Sequence, residues 1–75
     1  MKLRITEEKW NARGGGLIVA KSEMVDGEPL DVFLNAIRAC SDGAQNITVW
    51  RFPPMGNQKI LYRLEGPKRN VPFPM

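Results

Sequence analysis

Apolar and polar residues alternate along much of this chain, and where they do the alternation predicts strands. Leu3 and Ile5 interleave with Lys2, Arg4 and Thr6, a short first strand. Thr6 is placed to cap a turn of helix over residues 7–12, which Gly14, Gly15 and Gly16 would end. Residues 17–24 open on Leu17-Ile18-Val19 and read as a second strand. Asn46–Phe52 and Gln58–Glu65 read as two more, joined by a proline- and glycine-containing hairpin loop over 53–57.

Between the second and third strands the period changes to that of a helix. Pro29 suits a first helical position, Glu28 and Asp31 suit the positive end of the helix dipole, and Gly43 suits a stop, which predicts a helix over 29–42. Leu30, Phe33, Leu34, Ile37 and Cys40 form its core-facing stripe, and Val32, Ala36 and Ala39 form a second stripe beside it. Together they are wider than packing on one sheet requires. The expected cover for the second stripe is the segment 7–16, the C-terminal tail, or another protein chain, including a second copy in a homodimer.

The predicted fold class is α+β. It is a single small domain over residues 1–65 in ββαββ order, with a three- to four-stranded, mainly antiparallel sheet and one helix packed on one face. Residues 66–75 contain Pro67, Pro72 and Pro74 and form an extended tail.

The sorting of side chains between the two sheet faces bears most directly on function. A hairpin without a bulge sets Trp50 opposite Ile60 and Thr48 opposite Tyr62. One face then carries Thr48, Trp50, Phe52, Ile60, Tyr62 and Leu64. The other carries Ile47, Val49 and Leu61 with Arg51, Lys59 and Arg63, and Lys2 and Arg4 add to its charge. With the aromatic face under the helix, the basic-aliphatic face is either an ordinary solvated surface or a contact surface. The inverse arrangement buries Ile47, Val49 and Leu61, exposes Trp50 and Tyr62 as stacking platforms for bases, and forces Arg51 and Arg63 toward the helix.

Composition narrows the chemistry. Seventy-five residues allow one small core. The chain has no histidine and one cysteine, Cys40. It therefore lacks the commonest general base, cannot form an internal disulfide, and cannot build a tetrahedral zinc site. No Ser, Thr or Cys is spaced with a base as a nucleophile would be, and Asp26, Glu28 and Asp31 do not follow a calcium-loop pattern. Arg13-Gly14-Gly15-Gly16 leads into a strand rather than a helix and lacks the ending of a nucleotide-binding loop, so it reads as a connection. No enzyme activity, cofactor or metal is expected. The longest apolar run, Leu17-Ile18-Val19-Ala20, falls far short of the roughly 18 residues of a membrane span, and no signal-peptide core precedes it. The expected setting is cytoplasmic, with Cys40 reduced as a small semi-buried filler.

The formal charge of +3 comes mainly from the tail, where Lys68 and Arg69 stand without an acid; the other 65 residues carry 9 basic and 8 acidic groups. Distribution therefore matters more than total charge. The expectation is a non-enzymatic interaction protein that binds a protein partner stoichiometrically through Arg4, Arg51, Lys59, Arg63, Val49 and Leu61 and through Lys68, Arg69 and Phe73 of the tail. Val32, Ala36 and Ala39 form a secondary interface. Small cofactor-free chains of this kind are typical of accessory inhibitors from phages and mobile elements, which occlude a complex of a bacterial host or its defences. The alternative is an RNA- or single-stranded-DNA-binding module that uses the same cations.

Overall fold

The computed structural model describes residues 1–11, 13–52 and 57–67. Its elements are β1 (Lys2–Trp10), β2 (Leu17–Asp26), α1 (Pro29–Arg38), β3 (Asn46–Arg51) and β4 (Lys59–Glu65). The strands form one antiparallel sheet in the order β2-β1-β3-β4, so the predicted ββαββ domain is the fold. The hairpin residues 53–56 and the tail residues 68–75 lie outside the described residues. Among those described, no helix is long and apolar enough to cross a membrane.

β1 is longer than the sequence pattern predicts, and residues 7–10 of the predicted helical turn over 7–12 are strand. Glu7 and Glu8 look like solvated helix residues, but each has a partner within the sheet. Glu7 accepts the Ser41 backbone N–H at 3.3 Å and lies 3.8 Å from Lys21. Glu8 accepts a hydrogen bond from Asn46 at 3.0 Å and pairs with Arg63 at 3.5 Å. These contacts favour nine residues of strand over a short helix that would leave both carboxylates in water. β1 then turns into β2 between Trp10 and Leu17, where the Gly15 N–H donates to Asn11 and the Asn11 N–H to Gly16. Gly15 and Gly16 adopt φ of 65° and 95°, which side-chain-bearing residues rarely tolerate, so the glycine run forms a hairpin turn.

The helix is also corrected. It ends at Arg38 rather than near Asp42: the chain leaves helical geometry at Ala39, and Cys40 and Ala44 turn inward to pack on Ile47. Gly43, at φ 82°, serves the following turn, where the Ala44 N–H donates to Ser41. Phe33, Ala36 and Ile37 face the core, whereas Leu30 and Leu34 from the predicted stripe are 46% and 44% exposed. The inward arc is rotated because the Phe33 ring stacks on Tyr62, with centroids 5.1 Å apart, and that contact orients the helix over β3 and β4.

Among the described residues Leu3, Ile47 and Val49 are the fully buried large apolar side chains, and Ala44 and Cys40 pack on Ile47. Cys40 is more buried than a semi-buried filler and is a free thiol. The helix rests on β3, β4 and the near side of β1, and leaves β2 uncovered. Every residue of β2 from Leu17 to Met24 is exposed.

Candidate functional site

A single β-bulge decides where the predicted site residues lie. Trp50 pairs with Ile60 as expected, but Val49 pairs with Tyr62 and Thr48 with Arg63, which leaves Leu61 as an extra residue in β4. Beyond the bulge every β4 side chain changes face. Tyr62 and Leu64 therefore join Ile5, Ile47 and Val49 under the helix, while Arg63 moves to the open face with Thr48 and Trp50.

The predicted basic-aliphatic face is overturned by this register. Val49 is fully buried under the helix and offers no contact, and Leu61 is half-buried at the bulge. The predicted aromatic face is divided as well: Trp50, Phe52 and Ile60 lie on the open side, and Tyr62 lies under the helix. The inverse arrangement is correct for Ile47, Val49, Trp50 and Arg51, but not for Tyr62 or Arg63. Arg63 is held in the sheet by Thr48 Oγ1 at 3.1 Å, Glu8 at 3.5 Å and Glu65 at 3.6 Å, so it organises the open face rather than standing free on it.

The structure does bring together one end of the sheet. Arg51 is the partner of both Leu3 and Lys59, and Arg4 is the partner of Trp50, which sets four cations on adjacent strands at that end but on two faces. Lys2 and Arg4 lie on the open face beside Trp50 and Phe52, and Arg51 and Lys59 on the helix-bearing face beside Leu3. The predicted grouping of Lys2 and Arg4 with Arg51 and Lys59 on one face is overturned. Lys2, Arg51 and Lys59 are exposed, and among the described residues none of the four cations forms an ion pair. The Arg4 guanidinium lies over the Phe52 ring, 5.5 Å from its centroid, and its Nε is buried without a hydrogen-bond partner among the described residues. Ile60, 47% exposed, supplies an apolar contact beside Trp50, whose indole N–H donates to Thr6 at 3.0 Å. Asp26, the ladder partner of Lys2, is engaged by the N-terminal ammonium at 2.8 Å. That hydrogen bond, more than any other effect, holds the Asp26 carboxyl below its ordinary value of 3.8. The pair is fully formed above that ordinary value and is lost as the pH falls through the lowered one.

The opposite end of the open face has the other sign, with Glu8 and Glu65 against Arg63. The face is therefore bipolar. Lys68, Arg69 and Phe73, the predicted tail contacts, lie outside the described residues. Lys2 and Phe52, absent from the predicted contact set, join Arg4 on the open face at this end; the alternation of Lys2 with Leu3 and of Phe52 with Arg51 is the signal that they face away from Leu3 and Arg51.

The secondary stripe fares differently. Val32, Ala36 and Ala39 do come together, along the wall of a groove of about 240 Å³ between α1 and β2 whose floor includes Ile5, Glu23 and Val25. β1 lines its floor through Ile5 and Glu7, no described residue of the glycine turn reaches it, and most of the tail, the other cover expected from within the chain, lies outside the described residues. Comparison of the chain with protein-family models, with curated proteins and with solved structures gave no match.

Proposed function

We propose that this protein is a non-enzymatic binding module that occludes a protein partner stoichiometrically, using the cationic end of its sheet against an acidic surface with an apolar centre. The observation that carries this reading is one end of the sheet where four cations form no ion pair among the described residues, Lys2 and Arg4 on the open face with Phe52 and the exposed Ile60, and Arg51 and Lys59 on the other side of the same strands. Arginine and aromatic groups beside exposed aliphatics make typical anchors of protein interfaces, and unpaired cations at the rim steer an acidic partner into place. An accessory inhibitor of a larger complex fits this description.

Binding along a nucleic-acid strand is the weaker reading. A phosphate backbone crossing the open face from the cationic end would meet Glu8 and Glu65. The Phe52 ring has Arg4 over it and Trp50 is tied to Thr6, which limits both as stacking platforms.

The test begins with affinity capture from host lysate, with and without nuclease, followed by affinity measurement with the purified captured protein. Arg51→Glu/Lys59→Glu alters two exposed side chains outside every ion pair described above, so the fold should persist. The double variant is expected to weaken binding about tenfold or more, the effect of reversing two rim charges. Unchanged affinity, or capture that nuclease abolishes, overturns the proposal. Salt gives an independent readout: an interface with an apolar centre should survive moderate salt, whereas binding to several phosphates would fall by orders of magnitude.

A further inference from the structure

The cationic end does not involve the most unusual strand of the fold. β2 is an edge strand of ten residues, bordered only by β1, with Leu17, Ile18, Val19 and Met24 between 42% and 59% exposed. Natural edge strands are usually short or carry proline and several lysines, which discourage pairing with other chains. β2 has no proline and one lysine.

Its free edge can be read from the ladder. The Gly27 N–H donates to Met1, so in the regular antiparallel register residues 25, 23 and 21 turn their backbone groups toward β1. Ser22, Met24 and Asp26 turn theirs outward. The register shift opposite Glu7 and Glu8 leaves Ala20 without a partner and marks the end of this regular stretch.

We infer that two copies of the chain pair antiparallel through β2, about a two-fold axis at Ser22, to join their sheets into one of eight strands. Charge selects both the occupant and the register. A two-fold interface needs a surface complementary to itself. With the axis at Ser22, Lys21 of each copy stands opposite Glu23 of the other, which makes two favourable cross-strand pairs on the helix-bearing face. Moving the axis to Lys21 or Glu23 sets like charges against each other, and moving it to Met24 leaves both unmatched. Glu23 forms no ion pair within the chain among the described residues, so its charge remains available. Pairing at Ser22 also places the grooves beside Val32, Ala36 and Ala39 of the two copies on either side of a common floor.

Sedimentation equilibrium of the full chain across the micromolar to millimolar range tests this, together with amide hydrogen exchange. The expected result is a monomer–dimer equilibrium in which the Ser22 and Met24 amides gain protection as the dimer fills. Glu23→Lys, which sets lysine against Lys21 at two symmetry-related places, should weaken dimerisation about tenfold. Ser22→Pro removes an outward N–H that β1 does not use and should leave a folded monomer. A wild-type chain that stays monomeric over the whole range overturns the inference. So does a dimer in which the Ser22 and Met24 amides exchange as in the monomer, or one that Glu23→Lys leaves unaffected. Arg51→Glu/Lys59→Glu should dimerise normally, which separates this interface from the cationic end.

Discussion

Ile47→Ala is expected to lower the unfolding free energy by about 3 kcal/mol, within the usual range for an aliphatic side chain truncated in a core. Ile47 is fully buried and touches Cys40 and Ala44, the residues that bring the chain back from the helix to β3. These neighbours are too small to fill the space left by the lost methyl and methylene groups. A domain of this size has an unfolding free energy near the lower end of the usual 5–15 kcal/mol, so the loss is a large share of the total. The melting temperature should fall by roughly 15 °C, given the shift of about 4–8 °C per kcal/mol for domains of this length. Denaturant unfolding and thermal unfolding, each followed by circular dichroism, measure the two quantities. Leu34→Ala is the informative control. The helical pattern places Leu34 in the core, yet it is 44% exposed, and its truncation should cost less than about 1 kcal/mol. Equal losses for the two variants would contradict the helix orientation fixed by Phe33 and Tyr62.

That pair of variants also separates what the sequence discloses from what it conceals. The four strands and the helix are legible because alternation and glycine or proline boundaries are local signals. Pro29 and the change of period are enough to start α1. The helix end is not local: Gly43 is a sound stop signal, but burial of Cys40 and Ala44 against Ile47 ends the helix earlier. Glu7 and Glu8 mislead for a similar reason, since their partners Ser41, Lys21, Asn46 and Arg63 come from other parts of the chain. The most consequential error involves one residue. A bulge at Leu61 has no signature in Lys59-Ile60-Leu61-Tyr62, yet it exchanges Tyr62 and Arg63 between the faces and divides the predicted contact surface. Arg51 and Lys59 survive as same-face neighbours because they lie on the unshifted side of that bulge, but Arg4, opposite Trp50, lies on the other face. Lys21 and Glu23 were legible as an alternating pair, but their exposure on an uncovered edge follows only from the strand order.

Glu7 carries the second large effect. Its carboxylate is 2% exposed, on the helix-bearing side of β1. A buried carboxylate is tolerable only with hydrogen bonds and a nearby cation. Here one oxygen accepts the Ser41 N–H at 3.3 Å and the other lies 3.8 Å from the half-exposed Lys21 ammonium. Ser41 directly follows Cys40, so this hydrogen bond fastens the chain between α1 and β3 to the middle of the sheet. Glu7→Ala is expected to destabilise the fold by about 2–3 kcal/mol, because the Ser41 N–H loses its acceptor and the side chain leaves a void. Glu7→Gln retains an acceptor of nearly the same shape and should cost about 1 kcal/mol. A global stability measurement cannot say whether this particular junction has loosened, but Cys40 can. Its thiol is 3% exposed, so a thiol reagent reaches it only when the segment after α1 opens. If Glu7→Ala makes that opening easier by about 2 kcal/mol, modification of Cys40 under native conditions should accelerate roughly thirtyfold, while Glu7→Gln stays within a few-fold of wild type. Equal acceleration in both variants would mean that the charge, rather than the hydrogen bond to Ser41, holds the junction. No acceleration in either would mean that packing of Cys40 and Ala44 on Ile47 is sufficient without it.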